Sequence, residues 1–135
     1  MTMPGLITQT SQNGLSITRT KLISALELRG LDIIACIDHA AAAKRVGMHL
    51  KPTEVFIFGN PRVGTPLMNA RGTVGLDLPL KILVWQDDEG TTLLSYNDPK
   101  WLAQHHGLTA ENNNIVLAMT QALESIVQEV ALPVA

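Results

Sequence analysis

Leu80–Tyr96 reads LKILVWQDDEGTTLLSY, and this stretch decides the fold. Leu80–Gln86 and Thr92–Tyr96 are runs of large and β-branched residues around the acidic, glycine-containing Asp87–Thr91. Two such runs joined by a short turn-forming segment predict a β-hairpin, and so an antiparallel sheet. Upstream, Thr53–Gly59 (TEVFIFG) predicts a strand with Val55 and Ile57 on one face and Phe56 and Phe58 on the other. Leu31–Ile37 is apolar on nearly every position of both faces, which predicts a central strand covered twice. Leu6–Thr10 makes a short first strand after Pro4-Gly5. The helices fall between and after these runs. Ser16 is read as the cap of a helix over about 17–29, and Gly30 as its left-handed end. Asp38 opens a helix from His39 to about Val46. Asn60-Pro61 stops the third strand, and Thr65-Pro66 reads as a cap with proline at the first helical position, for a helix to about Arg71. Asp98-Pro99 repeats that signal for a helix closed by Gly107. Thr109 caps a last helix over about 110–131, with Ile115, Met119, Ala122, Leu123, Ile126 and Val130 as its stripe. A hairpin with two amphipathic helices predicts an α+β two-layer sandwich on an antiparallel sheet, with short inserted helices.

The 135 residues suit one domain, 1–135. Hydrophobic residues are 46% and charged residues 16% of the chain. Against a usual charged share of about 25%, this excludes a disordered chain and suggests surface buried on a partner. A net charge of −2 and an aromatic content of 4% exclude a nucleic-acid binder, which needs a basic footprint or stacking platforms. No apolar run approaches the ~18 residues of a membrane span. Met1-Thr2-Met3-Pro4-Gly5 lacks a basic region followed by an apolar run, so no secretory leader is expected. The single cysteine, Cys36, forms no internal disulfide and no cysteine-based zinc site, and a cytoplasmic location is expected. A homodimer is expected too. A two-layer sandwich leaves one sheet face open, carrying Ile34, Cys36 and Phe56 or their alternates, and a second copy is the simplest cover. The other cover would be the short helices 39–46 and 66–71.

Gly30–Val46 (GLDIIACIDHAAAAKRV), Lys51–Met68 (KPTEVFIFGNPRVGTPLM) and Thr73–Asp98 (TVGLDLPLKILVWQDDEGTTLLSYND) together resemble the family known as domain of unknown function 302. The resemblance spans roughly Gly5 to Gly107 and rests on IDHA, PTE, FGNP, GTPLM, GLDLPLK, VW and SYNDP in order. It implies a β-α-β(4)-α sandwich, related in outline to the TATA-binding-protein-like folds, and commonly a homodimer. It implies no known activity. Cys36 departs from the charged or polar residue that relatives more often carry there.

Four groups are candidates for chemistry. Gly59–Thr65 has the glycine spacing of a phosphate loop, but Gly64-Thr65-Pro66 lacks the lysine, which leaves Thr65 and a helix start for a small anion at most. Asp38 and His39 sit at a strand-to-helix junction, with Glu54 as an orienting carboxylate for His39 as base. The alternative for Asp38 is a helix cap. Asn60, Asp77, Lys81, Tyr96 and Asn97 should gather at one sheet edge as a ligand site. The alternative is that they cap helices, make turns and pack. His105 and His106 are adjacent, so on a regular helix they diverge by about 100° and need a ligand from elsewhere. No metal and no cofactor is expected. The residues name no reaction. The reading is a small-ligand-binding homodimer, and the alternative is a structural or protein-interaction module.

Overall fold

The computed structural model describes residues 3–134. Met1 and Thr2, read above for a leader, lie outside the described residues. Five strands form one antiparallel sheet: β1 (Leu6–Thr10), β2 (Asp32–Asp38), β3 (Thr53–Gly59), β4 (Leu80–Gln86) and β5 (Thr92–Asn97), in the order β1-β5-β4-β3-β2. Five α-helices accompany them: α1 (Leu15–Leu28), α2 (His39–Arg45), α3 (Pro61–Ala70), α4 (Pro99–His105) and α5 (Asn113–Ala131). The predicted hairpin is β4–β5, with Leu83 opposite Ser95. Asp87 Oδ1 accepts the Glu89 and Thr91 amides at 3.0 Å and closes the turn.

Register assigns the faces, because paired residues in an antiparallel sheet point the same way. Phe56 lies opposite Cys36 and Ile82, and Val84 opposite Leu94, so these share one face. Phe56, Phe58, Ile82, Val84, Leu94 and Tyr96 pack there against Leu22 and Leu26 of α1 and Leu123, Ile126 and Val130 of α5. A second cluster joins Leu67 of α3, Val74, Val116 and Met119. On the other face stand Val55, Ile57, Leu83, Trp85 and Leu93, none of them in either cluster. Trp85 Nε1 donates to Ser95 Oγ at 2.9 Å, and that hydroxyl also bonds Thr8 Oγ1 at 2.8 Å, which lays the indole on this uncovered face.

Three expectations are corrected. β2 is an edge strand, not a central one, with Ile34 59% exposed and a register shift between Ile33 and Ala35. Apolarity on both faces there reflects two partly covered sides, and the shift disrupts an otherwise free edge. Helix α3 begins five residues earlier than expected. Asn60, not Thr65, is its cap: Asn60 Oδ1 accepts the Arg62 amide at 2.9 Å and Pro61 occupies the first turn. Pro66 lies inside the helix, where its missing bond falls on Arg62, still in the first turn and exposed. Ser16 and Thr109 make no capping bond. Gly14 precedes α1, and a short 3₁₀ turn over Ala110–Asn112 leads into α5. Asp38 and Asp98 do cap, accepting the Ala41 and Lys100 amides at 2.9 and 3.0 Å.

Gly5 has φ +79°, and a Cβ there would fall 2.4 Å from the Trp101 ring. Both effects oppose any side chain. Gly5→Ala is therefore expected to lower stability by about 2–3 kcal/mol through backbone strain and overpacking, measured by urea unfolding. A change within ~0.5 kcal/mol, the usual range for surface positions, would show that Trp101 is not held there.

Candidate functional site

The sheet end where β3 leaves and β4 enters holds a cavity of about 310 Å³. Phe58 and Leu80 form its floor. Gly64 and Met68 of α3 and Leu78-Pro79 form one wall, and Met119, Ala122 and Ile126 of α5 the other. Asn60 and Thr65 are its polar rim. The hollow has a cause in sequence. Ala118 and Ala122 are four apart on α5, so their strip, which ends in Ile126, presents methyl groups where the neighbouring strip presents Met119 and Leu123. The volume is at the small end of ligand pockets, and the lining is nearly all apolar.

Of the residues expected at a ligand edge, the structure brings only Asn60 and Thr65 to this cavity. Tyr96 is buried in the core cluster, and burial pushes its hydroxyl above the ordinary tyrosine range. Asn97 ends β5, exposed and paired with Leu6 of β1. Lys81 points to the uncovered face, opposite Ile57. Asp77 caps the 3₁₀ turn Gly72–Leu76 and bonds His106 Nε2 at 2.5 Å. These four scatter because alternate residues of a strand face opposite ways, so a shared edge is not a shared face.

A second groove, about 520 Å³, lies between α1, α2 and the start of β3, with Asp38, Arg19, Lys44 and Glu54 among its walls. Glu54 does not orient His39. Its two oxygens accept Arg19 Nε and Nη2 at 2.7 and 3.3 Å, and donating these hydrogen bonds to Glu54 raises the Arg19 pKa. His39 is exposed and outside this groove's lining, so no base-carboxylate pair forms among Asp38, His39 and Glu54. Cys36 is exposed on the edge strand, yet partial burial with Glu54 nearby pushes its thiol pKa up. A thiol so shifted is a poor nucleophile at neutral pH.

The sequence reading missed the apolar lining from α5, which looks like ordinary core stripe. Only the Ala118–Ala122 spacing hints at a hollow.

An open antiparallel α+β sheet with helices on one face and an apolar cavity at its end defines the class of this protein. The chain belongs to the family Domain of unknown function DUF302, which it matches over residues 7–128. A crystal structure of an uncharacterized conserved DUF302 protein from Bacillus stearothermophilus superposes with a TM-score of 0.83 at 20% identity, covering 93% of this chain and 98% of that one, and shows the same fold. The chain is 38% identical over 127 residues to a protein of Brucella suis biovar 1 (strain 1330) named fluoride-specific ion channel FluC 1. A Brucella abortus biovar 1 (strain 9-941) protein of the same name matches at the same identity. The matches cover 94% of this chain and 50% and 47% of those proteins, so the chain spans about half the length of these curated relatives.

Proposed function

We propose that this chain is a small-ligand-binding homodimer that takes a compact, mostly apolar molecule into the cavity between α3, α5 and the end of β3. The cavity itself carries the reading: its walls are apolar, and its two polar side chains, Asn60 and Thr65, come from the cap and the N-terminal half of α3. That arrangement suits a hydrocarbon body with one polar head. The two copies pair through the uncovered sheet face. A cytoplasmic location is part of the proposal, supported by the one unpaired thiol.

Thermal-shift screening against a metabolite library tests this. A ligand held only by the folded state at about a hundred times its Kd adds about 2.7 kcal/mol. In a domain of this size that is roughly 8–13 °C in Tm. Ala122→Phe fills the hollow and is expected to abolish the shift while the chain stays folded. A library with no hit, or a hit that survives Ala122→Phe, would overturn the cavity assignment.

The second reading, a protein-interaction module, is favoured by the relatives of about twice this length. Channel formation is not part of either reading. Among the described residues no helix is long and apolar enough to cross a membrane, and the name of those relatives belongs to proteins with another half.

A further inference from the structure

We propose that Asp77, His105 and His106 form a three-ligand site for a first-row divalent metal ion of the zinc class, separate from the apolar cavity. One ligand atom from each residue lies within 4.8 Å of the other two. Two imidazoles and a carboxylate are the donor set of open zinc sites, which keep a remaining position for water, and of 2-His-1-carboxylate iron sites. The set does not suit calcium or magnesium, which take oxygen ligands.

The expectation of no metal rested on adjacent histidines diverging along a helix. The structure removes that obstacle. His105 is the last residue of α4, and His106 is already its C-cap, with φ −97° and ψ 1°. Off the regular helix, the two rings meet edge to face, 5.0 Å apart at 77°. Asp77 supplies the ligand from elsewhere, brought in by the 3₁₀ turn Gly72–Leu76.

Each group is held by its own device. The Asp77 amide donates to the Val74 carbonyl at 2.9 Å. The His105 ring is exposed, but stacks on Trp101 at 4.8 Å and 10°, and Trp101 is seated against Gly5. The His106 side chain is 5% exposed, with Nδ1 3.0 Å from Thr73 Oγ1 and Nε2 facing Asp77. In the structure a proton lies between Nε2 and Asp77; an ion that displaces this proton would meet the Nε2 lone pair, with Nδ1–H donating to Thr73. Such an outer hydrogen bond is what fixes the tautomer of metal-bound histidines. A four-coordinate ion with bonds of about 2.0–2.1 Å sets its ligand atoms ~3.3 Å apart. The ion would take the place of the hydrogen bond between Asp77 and His106, and the exposed His105 side chain would close the remaining gap.

Calorimetric titration of the untagged chain with Zn²⁺ and with Co²⁺ tests the site, with Co²⁺ absorption reading the coordination. One ion per chain is expected, with the visible bands of a four- or five-coordinate nitrogen- and oxygen-ligated ion. His105→Ala removes an exposed ligand without disturbing the core, and is expected to weaken binding about a hundredfold, with circular dichroism unchanged. Asp77→Asn should weaken it similarly, and Thr73→Val about tenfold. His49→Ala should change nothing. If the native chain binds neither ion, or if His105→Ala binds as tightly as the native chain, the proposal fails.

Discussion

Replacing Phe56 by alanine is expected to lower the unfolding free energy by about 3–5 kcal/mol, the usual range for a buried phenylalanine. For a domain of this length that is roughly 10–20 °C in Tm. Phe56 is fully buried at the middle of β3, between Cys36 on β2 and Ile82 on β4. Its ring meets α1 and α5 across the main cluster, so its removal leaves a cavity bordered by four elements. A second loss adds to the first. The Arg19 guanidinium sits 5.6 Å from the ring centroid while it bonds Glu54, and alanine removes the surface on which that ion pair rests. Against a total stability of about 5–15 kcal/mol, the loss takes between about a fifth and all of it. Phe56→Leu keeps most of the volume and should cost less than about 1.5 kcal/mol. Urea unfolding of both variants checks the pair. Equal losses would mean that the site collapses freely, and that the sheet is not packed against α1 and α5 as described.

Much of this fold is legible in the sequence because its signals are local. The β4–β5 hairpin, the Asp38 and Asp98 caps and the left-handed Gly30 each depend on a few neighbouring residues. Where two local signals compete, the sequence alone does not rank them. Asn60-Pro61 and Thr65-Pro66 both read as cap plus proline, and the chain uses the first because β3 ends there and the helix must turn back over the sheet end. Strand order is not local at all. Nothing in Leu31–Ile37 says that its second neighbour is missing. The candidate site is the least legible part. Asn60 and Thr65 reach the cavity, but its walls come from α5 residues that read as core. The convergence of Asp77 with His105 and His106 needs a 29-residue separation to close, and no spacing rule anticipates it.

Leu83→Asp is expected to convert a dimer of about twice 14.6 kDa into a monomer of 14.6 kDa at micromolar concentration, read by light scattering. A folded monomer of this mass exposes ~6,900 Å², whereas this chain exposes 8239 Å². The excess of about 1,300 Å² per chain is more than the ~800 Å² that a standard interface removes from each partner. The sheet offers a place for it. Val55, Ile57, Leu83, Trp85 and Leu93 form a continuous apolar face that no helix covers, with Ile37 43% exposed at its margin. These five side chains are half-buried, and covering the apolar surface they still show gains about 25 cal/mol per Å². The short helices once open as a cover are engaged elsewhere: Leu67 of α3 belongs to the second cluster, and α2 lines the groove beside α1. In the proposed dimer a two-fold axis through the middle of this face would set Leu83 near its own copy, so one substitution would bury two like charges without partners. Each such charge costs several kcal/mol, which raises the dimer Kd by a thousandfold or more. In the monomer the same aspartate faces water on an already open surface, and circular dichroism should show an intact fold. A native chain that scatters as 14.6 kDa at micromolar concentration would overturn the pairing, and would favour a different protein as the cover of this face.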